Sequence, residues 1–409
     1  METPHTETEA STNHPNPSHS PLGEVLWLFL RLGFTAFGGP AAHIAMMREE
    51  VVRKRQWVNS ERFVDLIGIT NLIPGPSSTE LAIYLGYVRA GWPGLLVAGV
   101  CFIGPAMLIV LALAWAYVTY GALPQIDWLF YGIQPVVVAI IAHAIWNLGR
   151  TVFKGPLSVG LAILTLVCYL LGVNVLILLF GGAALYGLLR FLLARRPKSP
   201  PVTSLMVTGL VANMQAIVEL LGSFLRSGAA AAPISLGLVF LTFLELGSVV
   251  YGSGYTLLAF LRTDLVQNLH WLTDKQLLDA VSIGQFTPGP VFTTATFIGY
   301  IVGGWPAALL ATLAMFLPSF VLIALIHPIA SRLRQATWTA ILLDGVNAAA
   351  LALMTGVLVQ LGQHALTDAL TVAIALLAFA LLLRFQWNSV WLILAGAVIG
   401  VLRFWILGG

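Results

Sequence analysis

The sequence predicts an all-α polytopic membrane protein made of two homologous helical repeats, inverted relative to each other and carrying broken or re-entrant helices. Three observations carry this reading. Hydrophobic residues make up 58% of the 409 and charged residues only 9%, against about 25% charged in a soluble domain, and apolar stretches long enough to cross a bilayer recur along nearly the whole length. The motif Ile73-Pro74-Gly75-Pro76-Ser77-Ser78-Thr79 returns 214 residues later as Thr287-Pro288-Gly289-Pro290-Val291-Phe292-Thr293. The residues around it return as well. Phe29, Leu30, Leu32 and Gly33 match Phe243, Leu244, Leu246 and Gly247, while Trp57 matches Trp271. After a one-residue gap, Gly86-Tyr87 matches Gly299-Tyr300, Gly91-Trp92-Pro93 matches Gly304-Trp305-Pro306, Pro105 matches Pro318, Gly132 matches Gly345, and Arg190-Phe191 matches Arg403-Phe404.

In chain order, residues 1–23 read as a disordered polar tail without the basic n-region and cleavage site of a secretory signal. The first repeat covers 24–193. It opens with an apolar segment (24–47) interrupted at Phe37-Gly38-Gly39-Pro40, and continues through a charged amphipathic stretch (48–62) to a segment broken at Pro74–Pro76. Further spans are expected over 93–120, 126–149 and 156–193. Residues 194–237 form a basic, proline-rich linker around Arg195-Arg196-Pro197-Lys198, followed over 202–227 by a helix that either spans or lies on the surface. The second repeat, 238–409, repeats the order of the first. The loop 48–62 holds five basic residues and its counterpart 262–276 only two. Basic loops prefer the cytoplasm, so the contrast favours inverted topology over two parallel halves.

Pro-Gly-Pro removes two backbone donors and stops a helix. At membrane depth such a break is tolerated only where protein or a water-filled cavity satisfies the freed groups. Two breaks at matching places in two halves point to the binding site of a secondary transporter. A helix restarting after Pro74-Gly75-Pro76 or Pro288-Gly289-Pro290 presents unpaired N–H groups and a positive dipole end. Ser77, Ser78, Thr79, Thr293, Thr294 and Thr296 add hydroxyls, a donor cluster suited to an oxyanion. The blander alternative is a kink whose hydroxyls bond back to the preceding turn. Gly38, Gly39, Gly252 and Gly254 permit close backbone approach. Asn71 and Gln285, just before the two breaks, either donate amide hydrogens to the anion or bridge helices.

Charges inside apolar segments each need a reason. Arg31 has Glu245 as its repeat mate, so the two pair across the pseudo-two-fold axis, or Arg31 attracts the anion, or it snorkels. Glu80 either carries a proton in exchange or caps the helix after the break. Arg48 with Asp65, and Arg262 with Asp279, read first as structural ion pairs and second as gating residues. His43 and His143 are lone histidines, read as packed. Cys101 and Cys168 lie in apolar runs and suggest neither a disulfide nor a metal site, and no cofactor is expected. The net charge of +3 does not suggest nucleic acid. No HExxH, nucleophile elbow or phosphate-binding P-loop occurs, so neither catalysis nor ATP hydrolysis is expected.

The duplicated order of Phe-Gly-Gly-Pro, a basic stretch, Pro-Gly-Pro followed by Ser/Thr, and Gly-Tyr resembles the chromate ion transporter family in its long, two-domain form, over about 24–406. The second copy departs from the pattern: Tyr251-Gly252-Ser253-Gly254 replaces the first motif, and Val291-Phe292-Thr293-Thr294 replaces Ser77-Ser78-Thr79-Glu80. The first half therefore keeps more of the polar motif. The resemblance implies a multi-pass protein of the cell inner membrane that exports chromate and confers chromate resistance, with sulfate as the related oxyanion. Two alternatives stay open: a transporter or channel for sulfate or another inorganic anion, and an intramembrane enzyme acting on a lipid phosphate. Assembly as a homodimer is left open as well.

Overall fold

The computed structural model describes residues 20–71, 73–121, 123–193, 234–250, 257–327, 337–385 and 387–407. The tail before Ser20, the linker with its 202–227 helix, and the Tyr251–Gly254 motif lie outside these residues.

Helix α1 (Pro21–Thr35) begins inside the expected tail, where Ser20 Oγ caps it by accepting from the Gly23 N–H at 3.2 Å. Gly38 (φ 100°) and Gly39 (φ 76°) then take the left-handed conformation that produces the expected interruption. The chain re-enters α2 (Gly39–Arg48), which continues as a π-helical turn over Glu49–Lys54. Helix α3 (Ser60–Thr70) is capped by Asn59, whose side chain accepts from the Arg62 N–H at 2.7 Å.

Helix α4 (Ser77–Tyr120) starts directly after the first Pro-Gly-Pro and doubles back on itself at Ala90 and Gly91 (φ 63°). A Cβ on Gly86 would collide with Gly94 O, and one on Gly99 would sit 3.0 Å from Ile83. The arm 77–89 therefore lies antiparallel against the start of a longer arm. At 1.5 Å per residue the short arm is about 20 Å long, too short to cross a bilayer. The break thus begins a helical hairpin and not a kinked continuous helix. Helices α5 (Pro124–Val152), α6 (Pro156–Leu170) and α7 (Val175–Leu193) complete the repeat.

The second repeat follows the same order. It runs through α8 (Leu236–Val249), α9 (Leu257–Leu261) with a π turn over Arg262–Asn268, and α10 (Asp274–Phe286), which opens on a Thr273/Gln276 capping box. After a 3₁₀ turn (Val291–Thr293), α11 (Thr294–Ile326) doubles back at Gly303 and Gly304 (φ 69°) as α4 does at Gly91. Helices α12 (Thr337–Ala365), α13 (Ala369–Phe385) and α14 (Ser389–Leu407) follow. Among the described residues, six helices are long and apolar enough to cross a membrane, with α4 and α11 among them, and no strand occurs.

Contacts within one copy recur in the other. Helix α1 packs on α4 and α8 on α11, where Gly33 and its equivalent Gly247 leave no room for a side chain against the long arms. The later helices are exchanged: α5 packs against α13 and α14 of the other copy, and α12 against α6 and α7. Gly132 meets Gly396 backbone to backbone, and its equivalent Gly345 meets Ala183. Small residues at such crossings are what tight association requires where lipid supplies no hydrophobic drive between helices. Exposed Leu, Ile and Trp along α6, α7 and α14 form the outward surface, as a bilayer-embedded protein needs.

Candidate functional site

Both Pro-Gly-Pro turns lie beside the contact of α4 with α11, Gly75 against Ser319 of α11 and Gly289 against Ala106 of α4. Gly75 (φ 140°) donates its N–H to Val250 O at 2.6 Å, and Gly289 (φ 87°) donates to Ala36 O at 2.8 Å. Ala36 and Val250 occupy equivalent positions, immediately after α1 and α8. Each break is therefore tethered to the other repeat, and the backbone groups freed by proline are satisfied by protein.

The two turns differ in what their side chains do. After Pro76, α4 begins without a side-chain cap, and the Thr79 and Glu80 N–H groups bond to Pro76 O. Ser78 Oγ lies 3.3 Å from His43 Nδ1, and His43 Nε2 lies 3.1 Å from Ala36 O. Only an N–H can face that carbonyl, so in neutral His43 the proton is on Nε2 and Nδ1 accepts from Ser78. Glu80 is fully buried and does not cap the helix. Its Oε1 accepts from Ser319 Oγ at 3.4 Å, while Oε2 and the buried Thr79 Oγ1 have no partner among the described residues. A Cβ on Gly75 would collide with this carboxyl and would lie 2.5 Å from Ser319 Oγ.

At the second turn the hydroxyls are occupied. Thr293 donates to Pro290 O and Thr294 to Val291 O, both at 2.8 Å, and Thr296 pairs with Thr312 at 2.7 Å. The back-bonded alternative thus describes Thr293 and Thr294, whereas the first turn keeps polar atoms in reserve.

A cavity of about 330 Å³ opens beside the first turn, lined by Pro40, Ile67, Asn71, Ser77, Thr151 and Asn347 among others. It brings together the end of α3, the start of α4, the end of α5 and the middle of α12. Asn71 and Ser77 were legible from the motif. Asn347 and Thr151 were not, since they come from helices distant in sequence, and Thr151 Oγ1 is already bonded to Leu148 O at 2.8 Å. A second cavity of about 250 Å³, lined by Ile126, Phe130, Phe286 and Ala397 among others, is almost wholly apolar and unsuited to an anion. Of the second-copy candidates, Gln285 is buried at the end of α10 and Gly252 lies outside the described residues.

Two charge pairings differ from expectation. Arg31 bonds Glu50 at 2.6 Å, within its own repeat, and not Glu245, which is buried in α8. Glu50 also accepts from Lys54 at 2.9 Å and from Arg55. Burial alone would raise its pKa, but the hydrogen bonds from Lys54, Arg31 and Arg55 bring it down to about 2. Arg262 pairs with Asp274 at 2.7 Å and with Gln360 at 2.6 Å, and not with Asp279. The π turn delivers Arg262 to the first turn of α10, whereas Asp279 lies more than a turn farther along. Asp279 instead accepts from Tyr117 at 2.9 Å and from Gln134 at 2.8 Å. Arg48 closes α2 and Asp65 sits within α3. Among the described residues no His, Cys, Asp or Glu cluster suits a metal ion.

The family described as chromate transporter matches the chain twice, over residues 23–188 and 237–401. A chromate transport protein of Cupriavidus metallidurans is 35% identical over 398 residues, covering 97% of this chain and 96% of that protein. A probable chromate transport protein of Synechococcus elongatus is 33% identical over 89% of this chain and 90% of its own length. A chromate transport protein of Pseudomonas aeruginosa is 30% identical over 97% of this chain and 96% of its own length. No solved structure matches.

Proposed function

The chain belongs to the chromate transporter family, a family of transporters and not of enzymes, and from that premise we propose that it exports chromate across the inner membrane as a secondary transporter. The observation that carries the proposal is the cavity at the first break, where Asn71 and Ser77 meet Asn347 of the other repeat. A tetrahedral dianion there would be held by the amides of Asn71 and Asn347 and by the positive end of α4, with Ser77 at the rim. Gly38 and Gly39 make the left-handed turn that precedes Pro40 in its wall. The Pro74-Gly75-Pro76 turn holds the helix end in place through its tether to Val250. The second turn, with Pro288, Gly289, Pro290, Thr293, Thr294 and Gln285, would serve the same purpose when the protein opens to the other side. Sulfate shares the anion's shape and charge and is the competing substrate.

Glu80 is the proposed coupling residue. An ionised carboxylate with no cationic partner is too costly to bury completely, so in this state Glu80 would hold a proton, with Ser319 as its neighbour. The reciprocal tethers and exchanged helices support a two-fold relation between repeats. Together with the contrast of basic loops, they favour inverted topology.

Everted membrane vesicles test the proposal. Saturable chromate uptake, raised by an inside-acid gradient, is the expected result. Asn71→Ala should raise the KM about tenfold or more, the cost of one hydrogen bond to a charged ligand. Saturable sulfate uptake without chromate uptake would keep the site and reject the substrate. Uptake of neither anion would reject both.

A further inference from the structure

Repeat-equivalent residues around α3 and α10 are in different environments. Helix α10 packs on α5, α12 and α14 and faces only the apolar cavity, through Ile283 and Phe286, whereas its equivalent α3 faces the polar cavity through Ile67 and Asn71. Asp279 and Gln285 of α10 are buried, but Asp65 is half-buried and Asn71 exposed. Gln134 of α5 is buried and donates to Asp279. Its repeat mate, two residues after Gly345 as Gln134 is two after Gly132, is Asn347. Asn347 is half-buried and lines the cavity. On the second-repeat side an amide–carboxylate latch thus ties the repeats together and leaves only an apolar cavity, and on the first-repeat side the equivalent amide lies in the wall of the polar cavity.

We infer that Gln134 and Asn347 are the two gating residues of the transport cycle, Gln134 closing on Asp279 in this state and Asn347 closing on Asp65 in the opposite one. Two repeats related by a two-fold axis can exchange conformations. The state in which the second repeat opens is then the present one with the roles of the copies swapped. In the swapped state α3 would pack on α12 as α10 now packs on α5, and Asn347 would donate to Asp65. Gln134 would leave Asp279 and line a new cavity with Gln285. Tyr117, which donates the second hydrogen bond to Asp279, supports the first latch only. Its position in the other copy, 330, lies outside the described residues. The Lys275–Asp127 pair at 2.6 Å is a further tie from α10 to α5. This inference rests on the proposed transport reading, but its test does not need the substrate to be chromate.

The test uses cysteine reporters in the full chain with Cys101→Ser and Cys168→Ser. Ile67→Cys lines the cavity, and its repeat mate Val281→Cys is buried in α10. A membrane-impermeant thiol reagent, applied to each face of oriented vesicles in turn, should label Ile67→Cys from one face only and spare Val281→Cys from both. Adding Gln134→Ala should raise labelling at Val281→Cys about tenfold and lower it at Ile67→Cys, as expected when a two-state equilibrium loses one charge-assisted hydrogen bond from one state. Asn347→Ala should shift labelling the opposite way. If Gln134→Ala does not accumulate in membranes, Tyr117→Phe removes the other bond to Asp279 and should move both reporters in the direction expected for Gln134→Ala, by less. A rise at Val281→Cys without a fall at Ile67→Cys would mean only local loosening and would overturn the inference. So would unchanged labelling at both. Labelling of both reporters from the same face would also overturn the inference, because two gates that open to one side cannot alternate; loss of chromate uptake with the reporters still moving oppositely, each from its own face, would reject only the substrate.

Discussion

At the scale of single residues, the proposed coupling role falls on a polar group buried without its usual partners. Glu80 is the clearest case, fully enclosed, with an Oε2 that has no partner among the described residues. Glu80→Gln preserves shape and removes the exchangeable proton. Proton-driven chromate uptake into everted vesicles should be lost, while exchange of labelled for unlabelled chromate across the same membrane should persist. Loss of both would make Glu80 part of the anion site instead. Glu50 is the opposite case, a carboxylate outside the candidate spans that three cations hold near a pKa of about 2. Its folded pKa is depressed, so it contributes stability fully present above the ordinary carboxylate range and lost as pH falls toward 2. Glu50→Gln should therefore lower the melting temperature in detergent at pH 7 and leave a smaller difference from wild type near pH 3. An equal difference at both values would show that the pairing contributes through packing alone. The sequence made Asn71, Ser77 and Glu80 legible because the motif carries them. It read His43 as packing, and the structure shows why that was incomplete: the ring bridges Ala36 and Ser78, 35 residues beyond it in the chain.

At the scale of elements, the hairpins are the units that matter. The sequence marked Gly91-Trp92-Pro93 and Gly304-Trp305-Pro306 as repeated, and apolar length alone suggested spans near them. Hydropathy does not register a reversal, because both arms of a hairpin are equally apolar; the contact between Gly86 and Gly94 does. Replacing Gly86 by Leu should destabilise the fold by about 1–3 kcal/mol or more, the usual cost of overpacking, with the arms forced apart and the Pro-Gly-Pro turn displaced. The same replacement at Gly104, where an added Cβ would meet nothing within 4 Å, should be tolerated. Thermal unfolding of the two variants in detergent compares them directly. Similar losses at both positions would argue against a hairpin.

At the scale of the whole molecule, the copies are joined by exchange, with α5 seated on α13 and α14 and α12 on α6 and α7. Neither copy covers its own helices alone. Residues 1–193 and 194–409 produced separately should each fail to support chromate uptake, and produced together they should restore it. Activity from either half alone would rule out the exchange as a requirement. The sequence by itself determined the membrane class, the family, which its model matches over two regions, and the places where helices break, because composition, spacing and proline chemistry are local properties that survive in one dimension. It could not determine which side chains meet at the breaks. Arg31 chose Glu50 over Glu245, and Asp279 chose Gln134 and Tyr117 over Arg262. Nor did it show that two chemically similar copies occupy different environments. Those outcomes depend on how α3, α5, α10 and α12 pack. Packing decides which equivalent polar groups are satisfied by protein and which are left facing a cavity, a distinction that exists only once the helices are in contact.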